Sequence, residues 1–136
     1  MPDTLTKEQR RRCMSVIRGR DTKPELLVRS LLHKQGFRFR LHVKDLPGTP
    51  DVVLPKYETA IFVHGCFWHV HRCRRGRAAP ATNRAFWKEK RAGNVHRDRV
   101  VRQLIRRLGW RVIIVWECQL RNPDKMRRRL LNLLRG

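Results

Sequence analysis

The chain has 136 residues, enough for one compact domain with its own core. No run approaches the roughly 18 apolar residues of a membrane span, and the start, MPDTLTKEQRRRC, lacks the apolar region of a secretory signal, so we expect a cytoplasmic protein. Lys and Arg number 33 against 11 Asp and Glu, a formal net charge of +22. This excess predicts a polyanionic partner, above all nucleic acid, although charge kept for solubility or an Arg-rich codon bias is the alternative.

Two helices are predicted first. The one over residues 6–18 is basic and opens with a capping-box spacing. The next begins with Thr22 as N-cap, has Glu25 three residues later and ends at Gly36. We expect its buried face to hold Leu26, Leu27, Val28, Leu31 and Leu32.

Strands follow these helices. Residues 37–43 alternate apolar and polar side chains, which indicates a half-buried strand. After a rigid Pro-Gly-Thr-Pro turn, residues 51–54 and 59–63 are two short apolar runs separated by a reversal. We expect these two runs to pair as a hairpin.

Residues 64–84 have no apolar period, so something other than a hydrophobic face must hold them. Residues 86–108 are largely helical, although Gly93 and Asn94 can interrupt the helix. Its expected inner face holds Val100, Val101, Leu104, Ile105 and Leu108. Residues 110–116 are a near-continuous apolar strand typical of a central position, and Asn122 and Pro123 open a last helix. The order predicts a single α/β domain over residues 1–136. Its mixed central sheet is flanked by helices, with a right-handed crossover before the last strand.

A metal site is predicted in the irregular segment. Cys66, His71 and Cys73 fall close together, and Cys118 follows the last strand. Four ligands of the Cys3His type make a closed tetrahedral site for structural Zn²⁺, which would replace a missing core. The pattern alone does not rank His71 above the other two histidines of the segment, and the cysteines also fit as buried small apolar residues. Cys13 is expected to be a core or surface thiol, and without secretory context disulfides are disfavoured.

The hairpin can bring an acid and a histidine together. Asp51 opens one strand and His64 ends the other; a carboxylate there, with the carbonyl of Val63, can hold Mg²⁺, which neutralises charge developing on phosphorus. Neutral His69 can take a proton from an attacking water. Asp51 also fits a turn cap, and His69 a phosphate contact. Glu25 is a possible auxiliary acid, but its spacing favours a capping role.

Aromatic residues lie among the arginines and histidines. Phe67, Trp68 and Trp87 can insert between bases, and a mismatch lowers the cost of unstacking. Met14 and Ile17 on the first helix are a second candidate wedge. Each of these side chains also fits ordinary packing, the rings against the zinc-braced segment.

Several motifs together resemble the very-short-patch repair (Vsr) family of DNA mismatch endonucleases. They are LPGTPD ending at Asp51, IFVHGCFWH ending at His69, the HxC and FW pairs that follow, NVxRD ending at Asp98, and GWRVxIVWEC ending at Cys118. The resemblance covers residues 14–121.

This resemblance implies a restriction-endonuclease-like core and a single-strand nick 5′ of the thymine in a T:G mismatch. Such mismatches arise by deamination of 5-methylcytosine, and repair restores C:G. By position, Asp51 is the metal-binding acid, His69 the general base and His64 a catalytic partner. The resemblance also implies that the zinc ligands are Cys66, His71, Cys73 and Cys118. It implies that the rings that insert between bases are Phe67, Trp68 and Trp87.

The same resemblance implies further expectations. The partner is double-stranded DNA with a T:G mismatch, with mismatch-repair proteins of the MutL class as further partners. The protein is expected to be a monomer of the bacterial cytoplasm, associated with the nucleoid. Residues 1–20 are expected to contact DNA, and residues 22–136 to form the nuclease core.

The sequence departs from related patterns at two places. Phe62 and His64 stand where the wider nuclease superfamily has an acid and a lysine, as is usual for the Vsr branch. Val63 stands where this branch often has Thr, a change that matters only if the hydroxyl takes part.

Other functions stay open at this point. A non-catalytic, zinc-stabilised DNA-binding module explains the charge but gives Asp51 no task. A nuclease of the same fold can have another target, such as a branched junction or a methylated duplex. A ribosome-associated structural protein fits the charge but not the aromatic segment.

Overall fold

The computed structural model describes residues 22–77 and 83–135, with only the backbone of Arg75. The predicted first helix, with Met14 and Ile17, lies outside the described residues, as does Cys13. Within them the chain is mixed α/β. No helix of the described part is long and apolar enough to cross a membrane.

The described chain begins with a helix, continues with three strands and two helices, and ends with a fourth strand and a last helix. Two 3₁₀ turns, Pro55–Tyr57 and Glu117–Arg121, follow the second and last strands. The remaining elements in chain order are α1 (Lys23–Lys34), β1 (Arg40–Leu41), β2 (Val52–Leu54), β3 (Thr59–His64), the short α2 (Arg74–Arg77), α3 (Arg84–Arg107), β4 (Arg111–Trp116) and α4 (Pro123–Arg135).

The four strands form one mixed sheet in the order β1-β2-β3-β4. The predicted hairpin is confirmed, because β2 and β3 pair antiparallel with Val52 opposite Ile61. Strands β3 and β4 pair in parallel along their full lengths, ending with His64 opposite Trp116. The predicted mixed sheet is therefore confirmed. The central position expected for residues 110–116 is wrong, since β4 is one of the two edge strands of the described sheet.

Helices cover both faces of this sheet, as predicted. On one face α1 and α4 pack on β2, β3 and β4, with Val28, Leu32, Ile61 and Leu130 buried in a common cluster. On the other face α3 packs through Ile105. Coverage of both faces explains why β4 is apolar from Val112 onward although it lies at an edge.

The strand predicted over residues 37–43 is wrong in extent, because only Arg40–Leu41 pairs with β2. Phe37 is buried and packs edge-to-face on Tyr57, with ring centroids 5.4 Å apart. His42 has a left-handed backbone, with φ of 49°, and this turn ends the extended pairing.

The predicted roles on α1 also need correction. Thr22 makes no side-chain cap hydrogen bond, so the capping-box role favoured for Glu25 is wrong. Leu26 and Leu27 are 49% and 44% exposed. The buried residues of α1 are Glu25, Val28 and Leu32, whose spacing places them on one helix face.

Helix α3 begins two residues earlier and ends one residue earlier than predicted, and it is more exposed. It runs unbroken through Gly93 and Asn94, and only Ile105 is fully buried. Val100, Leu104 and Leu108, which were expected to face inward, are exposed. The helix contacts the sheet mainly through its C-terminal half, while its middle contacts the segment after β3.

Candidate active site

A cleft of about 850 Å³ opens where β3 ends, between α1 and the middle of α3. The structure brings the predicted catalytic residues into this one cleft. Its lining includes Glu25, Asp51, Val63, His64, His69 and Asp98.

Asp51 is anchored to the adjacent strand. Its Oδ2 accepts a hydrogen bond from the backbone N–H of Val63 at 2.7 Å. Asp51 lies one residue, and Val63 two residues, beyond the last pair of β2 and β3, Val52 and Ile61. Burial raises the pKa of Asp51 to about 6, a rise opposed by the Val63 N–H and reinforced by the charge of Glu25. The Val63 hydrogen bond thus fixes the Asp51 carboxylate in a buried position that disfavours its negative charge.

This raised pKa predicts a pH-dependent cost to stability. A proton binds Asp51 more tightly in the folded state, so stability is lost as pH rises from 3.8 through about 6. In magnesium-free buffer, we expect Asp51→Asn to be more stable than the parent by about 1–2 kcal/mol at pH 7, after allowing for partial exposure. The gain should shrink as pH falls towards 5. Urea unfolding of both proteins at each pH checks this, and a pH-independent difference would contradict it.

Glu25, the candidate auxiliary acid, lies against the same cleft in a group whose third member, His42, sequence reasoning did not find. Its Oε2 is 3.3 Å from Nη2 of Arg29 and 3.8 Å from Nε2 of His42. Ligand atoms of Glu25, His42 and Asp51 all lie within 4.8 Å of one another. Two carboxylates held so close repel each other, and a divalent cation would relieve this. His42 carried no signal beyond one polar position in an alternating run.

His69 is oriented by an acid on α3. Its Nδ1 lies 2.7 Å from Oδ2 of Asp98. Because a carboxylate only accepts hydrogen bonds, Nδ1 donates and the Nε2 of a neutral ring keeps its lone pair. Sequence reasoning gave Asp98 no role, although its spacing of seven residues from buried Ile105 placed it on the inward face of α3.

His64 stacks on His69, with ring centroids 3.8 Å apart and planes 7° apart. Burial and the neighbouring His69 lower the pKa of His64 to about 4, so the ring is neutral at pH 7. Its Nδ1 is buried and has no hydrogen-bond partner among the described residues. The cleft therefore holds a neutral imidazole beside an imidazole that is held by an acid.

A second cluster joins the end of β3, the following segment and the end of β4. The ligand atoms of Cys66, His71, Cys73 and Cys118 all lie within 4.8 Å of one another. The four residues expected to bind zinc therefore come together, and His71 fills the histidine position. The three described cysteines are free thiols. This compact sulfur and imidazole donor set fits a tetrahedral Zn²⁺.

The surroundings of this cluster tune its thiols in opposite directions. Burial raises the pKa of Cys66 to about 12, while the backbone N–H of Gly76 lowers that of Cys73 to about 6. The ring of His71 stacks on Trp116, with centroids 4.3 Å apart. A metal cation would favour the thiolate at every cysteine of the set.

The three predicted wedge residues of the described chain form one aromatic cluster, Phe67, Trp68 and Trp87. Their ring centroids lie 5.2–5.8 Å apart, all in tilted or edge-to-face contact. Trp68 is 43% exposed, and Phe86 contacts Trp87 at 5.2 Å from the outer side. The cluster lies beside the cleft, which Trp68 and Trp87 help to line.

Comparison with known proteins gives a consistent result. The family model for the DNA mismatch endonuclease Vsr matches residues 2–75, more than half of the chain. The type II nicking enzyme V.XorIIP of Xanthomonas oryzae is 47% identical over 134 residues, 98% of each chain. The type II nicking enzyme V.NmeAIP of Neisseria meningitidis is 44% identical over 135 residues, 99% of this chain and 96% of the relative. The DNA mismatch endonuclease Vsr of Escherichia coli is 47% identical over 126 residues, 93% of this chain and 80% of the relative.

These matches identify the protein as a DNA endonuclease. Within that class, it belongs to the DNA mismatch endonuclease Vsr family. The resemblance drawn from the sequence motifs is confirmed.

Proposed function

We propose that this enzyme nicks one DNA strand 5′ of the thymine in a T:G mismatch by Mg²⁺-dependent hydrolysis. The nick would initiate very-short-patch repair of deaminated 5-methylcytosine. The observation that carries the proposal is that Asp51 and the His69–Asp98 pair line the same cleft, beside the aromatic cluster. Relatives named as mismatch endonuclease and nicking enzymes support it.

The residues around Asp51 suit a hard divalent cation. Asp51 would be the direct ligand, with the Val63 carbonyl as second oxygen and Glu25 as auxiliary acid. Mg²⁺ bound there would supply positive charge against the charge that develops on the phosphoryl oxygens. Burial, reinforced by the charge of Glu25, raises the pKa of Asp51, and a cation between these two carboxylates would offset both effects.

His69 would act as the general base. The Nε2 lone pair takes a proton from the attacking water, and Asp98 holds the ring and stabilises its charged form. His64, stacked on this ring and neutral at pH 7, would orient the scissile phosphate or a water through its nitrogen atoms.

We expect Asp98→Asn to lower the single-turnover nicking rate about a hundredfold, because an amide can hold His69 in the wrong tautomer and offers no charge to its protonated form. Asp124→Asn, which changes an exposed acid at the start of α4, is the matched control and should leave the rate unchanged. Equal nicking rates for the two variants would show that Asp98 has no part in catalysis.

Mismatch selection would come from the aromatic cluster Phe67, Trp68 and Trp87. Exposed rings can insert at a step whose pairing is already weak, because less stacking is lost there than in a matched duplex. The net charge of +22 supplies affinity for DNA of any sequence. Met14 and Ile17, outside the described residues, remain proposed as a second wedge.

We propose a structural rather than catalytic role for Zn²⁺ at Cys66, His71, Cys73 and Cys118, because four protein ligands leave no open position. The sheet and its two helical layers suit the restriction-endonuclease-like core that we propose. We further propose that the enzyme acts as a monomer at the bacterial nucleoid, with mismatch-repair proteins of the MutL class as partners.

A cleavage panel tests the proposal. Duplexes labelled on both strands, with T:G, T:A or C:G at one position and varied flanking bases, are incubated with Mg²⁺ and zinc-loaded protein. We expect one cut, 5′ of the mismatched thymine, and none in matched duplexes. A branched junction and a methylated duplex test the competing targets. Absence of nicking at T:G in every context, or preferred cutting of another substrate, would overturn the proposal.

A further inference from the structure

Side chains of helix α3 contact three successive residues of the segment that follows β3. The Nε of Arg91 donates to the Phe67 carbonyl at 2.9 Å. The Nδ2 of Asn94 donates to the Trp68 carbonyl, also at 2.9 Å. The third contact is that between Asp98 and His69 described above. Arg91, Asn94 and Asp98 are spaced by three and four positions, so they form one stripe along the helix.

This stripe fixes a register between two functional groups. Phe67 and Trp68 belong to the aromatic cluster, and the very next residue is the proposed general base. A slip of one residue would change the ring that meets the DNA and the distance from His69 to its acid. Helix α3 is continuous across all three contacts, so it sets them as one rigid unit.

Arg91 makes the most extensive of these contacts. Besides the Phe67 carbonyl, its Nη2 donates to the carbonyl of Gly76 in α2. Its guanidinium carbon lies 4.5 Å from the centre of the Phe67 ring. One side chain thus joins the aromatic cluster to the chain just beyond the zinc ligand Cys73. A planar guanidinium can make these three contacts together, whereas an ammonium group offers no such plane.

We propose that Arg91 is a positioning residue for mismatch recognition. It holds the aromatic cluster in register with the His69–Asp98 pair, so that insertion of the rings into DNA places the general base His69 at the scissile phosphate. The inference rests on the proposed T:G function and adds a residue to it. The competing role for an arginine in so basic a protein is a phosphate contact, which contributes equally to all duplexes.

Arg91→Lys separates these roles because it keeps the charge and loses the planar contacts. We expect its affinity for a T:G duplex to fall about tenfold to a hundredfold, the effect of losing one or two charge-assisted hydrogen bonds. Affinity for the matched duplex and its salt dependence should change less than about twofold. Arg106→Lys, an exposed position on the same helix, is the control and should match the parent on both duplexes.

Tryptophan fluorescence gives a readout that a general loss of structure would not mimic. Stacking of Trp68 and Trp87 on bases should quench the parent more with T:G than with matched DNA, and Arg91→Lys should lose that difference. Its zinc content and the pH profile of nicking should stay unchanged. Arg91→Gln, which keeps an NH2 donor but loses the charge, should lose part of the T:G preference, measured as the ratio of T:G to matched affinity, and serves if Arg91→Lys does not fold.

Three results would overturn the inference. An equal loss of affinity on both duplexes, with a salt slope reduced by about one, would make Arg91 a phosphate contact. Unchanged T:G affinity and quenching would show that the register does not depend on it. A parent protein without T:G preference would overturn the proposed function as well, which distinguishes that failure from the other two.

Discussion

Asp51→Asn should lower the rate of T:G nicking by about a thousandfold or more while leaving DNA affinity within a few fold of the parent. The amide can still accept the hydrogen bond from Val63, so the strand ends stay in place. It lacks the charge that holds a divalent cation, and the loss of that cation removes several kcal/mol of transition-state stabilisation. Single-turnover nicking and equilibrium binding, measured on the same T:G duplex, check both parts.

Asp45→Asn is the matched control, because it removes an exposed acid in the loop before β2. It should nick at the parent rate. Parent-like nicking by Asp51→Asn, or equal losses in both variants, would show that Asp51 does not hold the catalytic metal. Loss of binding together with nicking would instead favour a structural role for its carboxylate.

Cys118→Ser should abolish binding of the proposed zinc ion and destabilise the protein by about 3–5 kcal/mol. Cys118 follows β4, and its backbone N–H donates to the sulfur of Cys66, 52 positions away in sequence, at 3.4 Å. Loss of this ligand frees the segment after β3, which has little hydrophobic core of its own, and metal affinity in such sites is folding free energy. We therefore expect the nicking rate to fall with zinc occupancy.

Zinc per chain, the urea midpoint and the nicking rate are the measurements. Cys13→Ser is the control, because Cys13 was not assigned as a ligand, and it should keep one zinc per chain. A parent protein without zinc, or full zinc binding by Cys118→Ser, would contradict the assigned ligand set.

Much of this architecture could be predicted because it is local in sequence. The β2–β3 hairpin follows from two short apolar runs, and three members of the metal cluster, Cys66, His71 and Cys73, follow from residue types at close spacing. The positions of Asp51 and His64 follow from the hairpin, since its geometry alone brings opposite strand ends together.

The rest depends on tertiary contacts that no local pattern specifies. His69 meets its acid 29 residues further along the chain, and only the packing of α3 decides which acid that is. On α1, leucine periodicity indicated Leu26 and Leu27, whereas the buried face includes Glu25. From sequence alone, an acid on a helix face is expected to be exposed to solvent. Glu25 is buried here, where Arg29 and His42 contact its carboxylate.

The last step of the β3–β4 ladder has a consequence for how such an enzyme can change its target. His64 pairs with Trp116 there, and Cys66 and Cys118 each follow two residues later. The candidate catalytic residue His64 and the proposed zinc site therefore depend on the same two adjoining strand ends. A substitution that displaces this junction would disturb both sites at once. New base preferences are therefore expected to accumulate on the surrounding helices and turns, with the junction inherited as a single block.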